Sequence, residues 1–167
     1  AMLEALSAEL QPLFTEKSLQ LDIAIPAAVG TIDGDRVRLQ QVIRNVLMNA
    51  HRYTPAGGTV KLSAAVQSGD DSVAVSISDT GQGIPRAELE TIFEPYWRAN
   101  NTMPGLGIGL ALARAIVEAH DGTLAADSAG TGKGSTFVIT LPQRNSIIDD
   151  TARLPAELMT SETSADN

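Results

Sequence analysis

The chain reads Asn45-Val46-Leu47-Met48-Asn49-Ala50-His51-Arg52-Tyr53-Thr54-Pro55 near the end of its most regularly patterned segment, residues 35–53. This segment predicts a helix that begins after Asp35, a good N-cap residue, and ends before the turn that Pro55 opens. Six apolar residues fall on one face of the predicted helix: Leu39, Val42, Ile43, Val46, Leu47 and Ala50. A helix with such a stripe is expected to pack its apolar face on a core.

The polar side chains of this helix form a second stripe. At about 100° per residue, Asn45, Asn49 and Arg52 align, and Tyr53 lies beside them. Asparagine is a poor helix former, so two in line predict a function. An amide oxygen suits Mg²⁺, which also takes phosphate oxygens and waters, while Arg52 can offset phosphate charge and Tyr53 can pack on a ring. A solvated polar face with two incidental asparagines is the alternative.

A second motif, Asp79-Thr80-Gly81-Gln82-Gly83, follows a predicted strand. Its glycines release the backbone for a tight turn. An ionised carboxylate only accepts hydrogen bonds, so Asp79 suits the exocyclic amine of adenine, whereas guanine would present an acceptor there. An ordinary turn is the alternative, since Asp and Gly are common turn residues.

Two more glycine clusters follow. Gly105-Leu106-Gly107-Ile108-Gly109 precedes a predicted helix at about residues 107–120 and fits neither the Walker lysine motif nor the dinucleotide fingerprint. It can serve phosphates, because a helix N-terminus offers free N–H groups and a positive dipole end; a flexible loop is the alternative. Gly132-Lys133-Gly134-Ser135-Thr136-Phe137 would let a strand begin close to a ligand, with the Thr136 hydroxyl available, or form a plain hairpin turn.

The remaining pattern alternates helices and strands. Two further helices are expected, one at 3–16 from its spacing and a short one at 86–93 after Pro85. Alternation predicts strands at 19–25, 59–66, 73–78, 123–128 and 135–141. Residues 94–106 predict a loop. Residues 143–167 hold five acidic and two basic residues, which predicts a linker or a disordered tail.

Composition excludes several classes of function. The 167 residues suit one domain with a core, and the net charge of −8 argues against a nucleic-acid binder. No apolar run approaches the roughly 18 residues typical of a membrane span. The chain has no cysteine, which excludes disulfides and thiolate metal sites.

Taken together and in this order, the motifs strongly resemble the ATP-binding catalytic domain of sensor histidine kinases, in the GHKL ATPase superfamily. The resemblance covers roughly residues 20–142. Five segments carry it: the asparagine box at 41–55, the adenine-side glycine box at 79–85, the phenylalanine box at 92–98, and two further glycine boxes at 105–112 and 132–137. The chain departs from the family at Leu106, where many relatives carry Ser or Thr, and at Pro95 and Trp97 within the phenylalanine box.

The resemblance implies an α/β fold, a two-layer sandwich of the Bergerat type. A mixed, mostly antiparallel sheet would carry helices on one face, with residues 94–106 forming an ATP lid. Residues 1–18 would be a connector helix from a dimerisation domain, residues 19–142 the ATP-binding domain, and residues 143–167 an acidic C-terminal tail or linker.

The resemblance also implies a site for ATP and Mg²⁺. Asn49 would hold the metal, and Asn45 and Arg98 would act as catalytic residues at the phosphates. The nucleotide would contact the residues at the matching motif positions: Asn45, Asn49, Arg52, Tyr53, Asp79, Gly81, Gly83, Ile84, Phe93, Gly105, Leu106, Gly107, Gly109, Leu110 and Thr136.

The implied function is that of the kinase module of a two-component sensor histidine kinase. The domain would supply the γ-phosphoryl group of Mg·ATP to a histidine on a separate dimerisation domain, and a response regulator would receive it next. The only two histidines, His51 and His120, are expected to be structural or incidental, so the fragment should not phosphorylate itself. We expect a cytoplasmic location without direct membrane contact. The alternatives are a serine kinase of the anti-sigma-factor type and a degenerate nucleotide-binding interaction module.

Overall fold

A computed structural model of the chain describes residues 2–27, 29, 31–67, 71–98 and 106–143. Its helices are α1 (Met2–Glu16), α2 (Arg36–Tyr53) and α3 (Gly109–Glu118). Its strands are β1 (Gln20–Ala24), β2 (Thr59–Gln67), β3 (Ser72–Asp79), β4 (Thr123–Asp127) and β5 (Ser135–Pro142). Two single 3₁₀ turns, Arg86–Glu88 and Thr91–Phe93, lie between β3 and α3.

The five strands form one sheet in the order β1-β2-β3-β5-β4. β1 runs parallel to β2, and every other pair in the described sheet is antiparallel. In this register Asp79 pairs with Val60 on one side and with Ser135 on the other. The end of β3 and the start of β5 therefore lie side by side at the same end of the sheet, which brings two of the glycine motifs together.

The core lies between the helices and one face of the sheet. Alternate residues of the central strands are buried on that face, among them Leu62, Ile77 and Ile139 at 0% exposure. All three helices contribute to the same buried cluster, including Leu6 of α1 and Val117 of α3. The predicted two-layer sandwich, with a mixed, mostly antiparallel sheet and helices on one face, is confirmed.

Helix α2 begins as its sequence predicts. The Asp35 carboxylate accepts hydrogen bonds from the backbone N–H groups of Val37 (2.9 Å) and Arg38 (3.1 Å), which satisfies two donors of the first turn. The Asp35 N–H in turn donates to Nε2 of His120 (3.1 Å), whose Nδ1 lies 2.7 Å from the Ile116 carbonyl oxygen. The imidazole therefore carries its proton on Nδ1 and joins the end of α3 to the start of α2.

Helix α1 is part of the same folded unit as the sheet. Leu6, Leu10 and Phe14 are at most 5% exposed and belong to the common core. The assignment of residues 1–18 as a connector remains a prediction, as do the boundaries at residues 19 and 142. The predicted tail falls almost entirely at 144–167, outside the described residues, and Gln143 forms a bridge to Ile32.

Two of the predicted helices differ from the structure. Residues 86–93 do not form one helix but the two 3₁₀ turns, neither of which has a side-chain N-cap hydrogen bond. The helix predicted from about residue 107 begins at Gly109, because Gly107 has φ +69° and so cannot belong to a right-handed helix. The predicted strands agree with the observed ones to within one residue at each end.

Candidate functional site

Two adjoining cavities lie beside the polar stripe of α2. The first, the Asp79 cavity, has lining residues that include Asp79, Gly83, Ile84 and Ser135. The second, the Arg52 cavity, is lined by residues of α2, of the loop before α3 and of its first turn. Five residues line both cavities and form their shared wall: Asn49, Tyr53, Ile92, Trp97 and Leu110. A ligand long enough to occupy both would therefore lie along α2.

The Asp79 carboxylate is buried and held in place. Its Oδ1 accepts a hydrogen bond from the Gly81 N–H (2.7 Å), and its Oδ2 accepts one from the Ser135 hydroxyl (2.5 Å). Only 9% of the residue is exposed. Since each carboxylate oxygen can accept a second hydrogen bond, Asp79 can still receive a donor from a ligand in the cavity.

The turn after Asp79 is hydrogen-bonded to α2 on one side and to the β4–β5 turn on the other. The Gln82 N–H donates to the Tyr53 carbonyl oxygen (3.1 Å), and the Gly132 N–H donates to the Gln82 carbonyl oxygen (2.6 Å). A Cβ at Gly81 would lie 2.5 Å from the Tyr53 carbonyl oxygen. A Cβ at Gly83 would collide with the carbonyl oxygen of Gly130. Only bare backbone fits here, so these glycines determine how closely the turn approaches α2.

The amide nitrogen of Asn45 is engaged within the protein. Its Nδ2 donates to the carbonyl oxygen of Gly109 (3.0 Å), the first residue of α3. This bond fixes the first turn of α3 against α2. With its nitrogen so used, Asn45 can offer its amide oxygen to a cation, as can Asn49, one turn further along the same face.

The Arg52 cavity is suited to an anion. Arg52 and Arg98 line it together with the two asparagines of α2. Among its described lining residues there is no acidic side chain, although the whole chain carries a net charge of −8. The start of α3 reaches the same cavity through Gly107 and Gly109, and its N-terminal N–H groups favour negative charge.

A backbone hydrogen bond joins the two ends of the predicted lid loop. The Tyr96 N–H donates to the Gly107 carbonyl oxygen (2.9 Å), and a Cβ at Gly107 would lie 2.5 Å from the Trp97 carbonyl oxygen. The two ends of the loop therefore meet beside the Arg52 cavity.

Within the described residues, no group of acidic, histidine or cysteine side chains could hold a metal ion by itself.

Most of the predicted site residues are brought together by the fold. Twelve line one or both cavities: Asn45, Asn49, Arg52, Tyr53, Asp79, Gly83, Ile84, Arg98, Leu106, Gly107, Gly109 and Leu110. Gly81 lies outside the lining but holds Asp79. Gly105 lies outside the described residues.

Phe93 and Thr136 line neither cavity. Phe93 is 8% exposed and packs edge-on against Phe137, with the Arg114 guanidinium 4.9 Å from its ring centre. Thr136 follows Ser135 on β5, so its side chain points to the opposite face of the sheet. The hydroxyl that the fold brings to the cavity is that of Ser135, and Thr136 as a nucleotide contact remains a prediction.

Sequence reasoning missed several residues of the site. Ser135 and Phe137 line the Asp79 cavity, and Trp97 lines both. The signal for Ser135 was a polar residue at an inward position of a strand that starts after Gly134. The signal for Trp97 was the presence of the only tryptophan of the chain in an irregular loop beside Arg98.

The side chain of His51, a residue of α2, packs against α1 and lines neither cavity. Its ring meets that of Phe14 edge-on, with 5.1 Å between the centres, and its Nε2 is buried without a hydrogen-bond partner among the described residues. Burial lowers the pKa of His51, and the nearby Lys17 ammonium and Arg52 guanidinium lower it further, whereas the Leu13 carbonyl and Glu16 oppose the shift. The neutral imidazole is therefore favoured in the folded protein.

Comparison with known proteins identifies the domain. Residues 34–145 match the family model described as "Histidine kinase-, DNA gyrase B-, and HSP90-like ATPase". The adaptive-response sensory kinase SasA of Synechococcus sp. (strain JA-3-3Ab) is 44% identical over 136 residues, which are 80% of this chain and 36% of SasA.

Two solved structures share the fold. The mycobacterial sensor histidine kinase MprB superposes with a TM-score of 0.71 at 30% identity, over 84% of this chain and 93% of that one. Full-length ShkA in complex with AMPPNP superposes with a TM-score of 0.76 at 28% identity, over 84% of this chain and 29% of that one.

The chain therefore belongs to the family of histidine kinase-, DNA gyrase B- and HSP90-like ATPases, and its domain is of the ATP-binding type found in sensor histidine kinases. It spans about a third of the length of the sensory kinase SasA, 36%. No helix in the described ranges combines the length and the apolar character that a bilayer crossing requires.

The contact of Gly134 with Asp79 can be tested by two matched substitutions. Gly134 and Gly132 have similar φ angles, +70° and +76°, but a Cβ at Gly134 would collide with the Asp79 carbonyl oxygen, whereas Gly132 has open space around it. We expect Gly132→Ala to lower the free energy of unfolding by about 1–2 kcal/mol, the cost of left-handed backbone. Gly134→Ala should lower it by more than about 3 kcal/mol. Equal losses in urea unfolding would contradict the assigned contact.

The lowered pKa of His51 predicts a pH dependence of stability. The unfolded chain protonates His51 below its ordinary pKa of about 6.5, before the folded protein does. The free energy of unfolding is therefore highest above about pH 6.5. It decreases as the pH falls from about 6.5 toward the lower pKa of His51 in the folded protein. Urea unfolding between about pH 7.5 and 5 should show a steeper loss for the wild type than for His51→Gln. Parallel curves for the two proteins would refute the assignment.

Proposed function

We propose that this domain binds Mg·ATP across the two cavities and supplies its γ-phosphoryl group to a histidine on a separate dimerisation domain. One observation carries the proposal. A buried carboxylate acceptor and a pair of arginines with two amide side chains line neighbouring cavities that share the wall of Asn49 and Tyr53. An adenine nucleotide has the complementary order of groups, with a donor amine at one end and phosphates at the other.

The adenine would occupy the Asp79 cavity. Its exocyclic amine would donate to Asp79, which the Gly81 N–H and the Ser135 hydroxyl hold in position. Gly83 leaves room for the ring, and Ile84 and Phe137 offer apolar surface. Guanine would place an acceptor against the carboxylate, so the site should prefer adenine.

The phosphates would extend into the Arg52 cavity. Arg52, Arg98 and the first turn of α3 would offset their charge. The donor set fits Mg²⁺, because the amide oxygens of Asn49 and Asn45 are hard neutral ligands and the ion can complete its shell with phosphate oxygens and waters. When bound, the ion would neutralise charge at the phosphates.

A phosphoryl acceptor within the chain is disfavoured. His51 is buried at Nε2, and both ring nitrogens of His120 are engaged in hydrogen bonds. We therefore place the acceptor histidine on a dimerisation domain, followed by transfer to a response regulator in the cytoplasm. The similarity to the sensory kinases SasA and MprB favours this function over a serine kinase of the anti-sigma-factor type.

Calorimetry with Mg·ATP tests the assignment of the base cavity. Asp79→Asn removes the charged acceptor and should weaken binding by about tenfold or more, the typical effect of losing a hydrogen bond to a charged group. Asp127→Asn is the matched control, since Asp127 is an exposed residue of β4 that lines neither cavity. Binding that is unchanged in Asp79→Asn, or absent in the wild type, would overturn the proposal.

Incubation with γ-labelled ATP tests the transfer. The chain alone should acquire no stable acid-labile label, because neither histidine presents a free ring nitrogen to a nucleotide in these cavities. Addition of a two-helix phosphoacceptor domain with its histidine should give label on that domain, and a version with His→Gln should stay unlabelled. Acid-labile label on this chain, lost in His51→Gln or His120→Gln, would contradict the proposal. Label on serine of an added protein would favour the serine-kinase alternative.

A further inference from the structure

The C-terminal end of α2 has a complete set of hydrogen-bond partners. The last four carbonyls of any helix lack partners within the helix. In α2 the Ala50 carbonyl accepts from the Thr54 N–H (3.0 Å), and the Tyr53 carbonyl accepts from the Gln82 N–H (3.1 Å). The two between them, of His51 and Arg52, are both bound by the ammonium group of Lys17, at 2.5 and 3.1 Å.

Lys17 follows directly after α1 and reaches a different helix. Its ammonium group meets the negative end of the α2 dipole, where a cation is most favourable. Burial lowers the pKa of Lys17, which agrees with an ammonium group drawn partly out of solvent. The residue whose carbonyl it holds, Arg52, is one of the residues that line the Arg52 cavity.

We propose that Lys17 is a positioning residue, which fixes the last turn of α2 so that Arg52 faces the phosphates of the bound nucleotide. The inference rests on the proposed function of the site. It assigns to the end of α1 a role at the triphosphate, although no part of α1 or Lys17 lines either nucleotide cavity.

The two sides of this helix end are held by different residues. On the sheet side, Gln82 holds the Tyr53 carbonyl and belongs to the same turn as Gly83, beside the predicted adenine. On the α1 side, Lys17 alone holds the carbonyls of His51 and Arg52 among the described contacts. Loss of Lys17 should therefore disturb the phosphate end of the site and leave the base end in place.

The test compares Lys17→Met and Lys17→Arg with the wild-type chain. In Lys17→Met the Kd of Mg·ATP, measured by calorimetry, should rise about tenfold, as for the loss of a hydrogen bond to a charged group. The Kd of adenosine, measured by chemical-shift titration, should change less than about twofold, since adenosine has no phosphate for Arg52. Lys17→Arg keeps a cation that can bind carbonyls and should restore most of the Mg·ATP affinity.

A second readout needs no nucleotide. In ligand-free Lys17→Met the Thr54 amide, which closes the last turn of α2, should exchange its hydrogen about tenfold faster. Glu9→Gln is the matched control, because it breaks the 2.6 Å ion pair between Glu9 of α1 and Arg44 of α2 far from the helix end. It should change neither the Mg·ATP affinity nor the Thr54 exchange. If Lys17→Met does not fold, Lys17→Gln takes its place with the same expected directions.

Three results would overturn the inference. They are wild-type Mg·ATP affinity in Lys17→Met, equal losses for Mg·ATP and adenosine, and a failure of Lys17→Arg to restore affinity. If the wild type itself binds neither ligand, the proposed function fails, and Thr54 exchange alone then decides whether Lys17 fixes the helix end. Unchanged exchange in that case would reject the role of Lys17 as well.

Discussion

The hydrogen bond from the Gln82 N–H to the Tyr53 carbonyl oxygen joins the two halves of the site. It ties the last residue of α2 to the turn that follows β3, and so fixes the polar stripe of the helix relative to the Asp79 carboxylate. The contact is possible only because Gly81 has no side chain, since a Cβ there would lie 2.5 Å from the same carbonyl oxygen. The glycines of this motif therefore act first on the protein itself, and the space they leave for a ligand follows from that packing.

The parts of the fold that depend on local sequence could be predicted. The length of α2, its cap at Asp35 and the positions of the five strands follow from periodicity, capping and alternation, and the structure has all of them. The parts that depend on tertiary contacts could not. The choice between Ser135 and Thr136 requires the register of β5 against β3, and the place of Phe93 in the core requires the position of Phe137. The start of α3 was missed by two residues, because Gly107 has a positive φ and packs against the other end of the loop, and the local sequence shows neither feature.

The charged residues are unevenly distributed over the structure, which the net charge of the chain does not show. The chain carries 20 acidic and 12 basic residues, yet two of its arginines line a cavity whose other described walls contain no acid. The one buried carboxylate of the site lies in the neighbouring cavity, where two neutral donors hold it. A net negative charge repels polyanions such as nucleic acids, while two arginines in one cavity can still favour a small anion there. Net charge thus limits the class of partner but does not describe the site.

The position of α1 limits how a neighbouring domain could influence this site. Leu6, Leu10 and Phe14 are nearly or fully buried in the common core, and exposing three such side chains would cost roughly 5–9 kcal/mol. That is comparable to the whole stability of a typical domain, about 5–15 kcal/mol. Detachment of α1 would therefore cost much of the stability of such a domain, and coupling along α1 is less costly through small shifts of its end. The end of α1 is where Lys17 holds the backbone of Arg52, so a displacement that stretches those two hydrogen bonds would reach the phosphate side of the site before it disturbed the core.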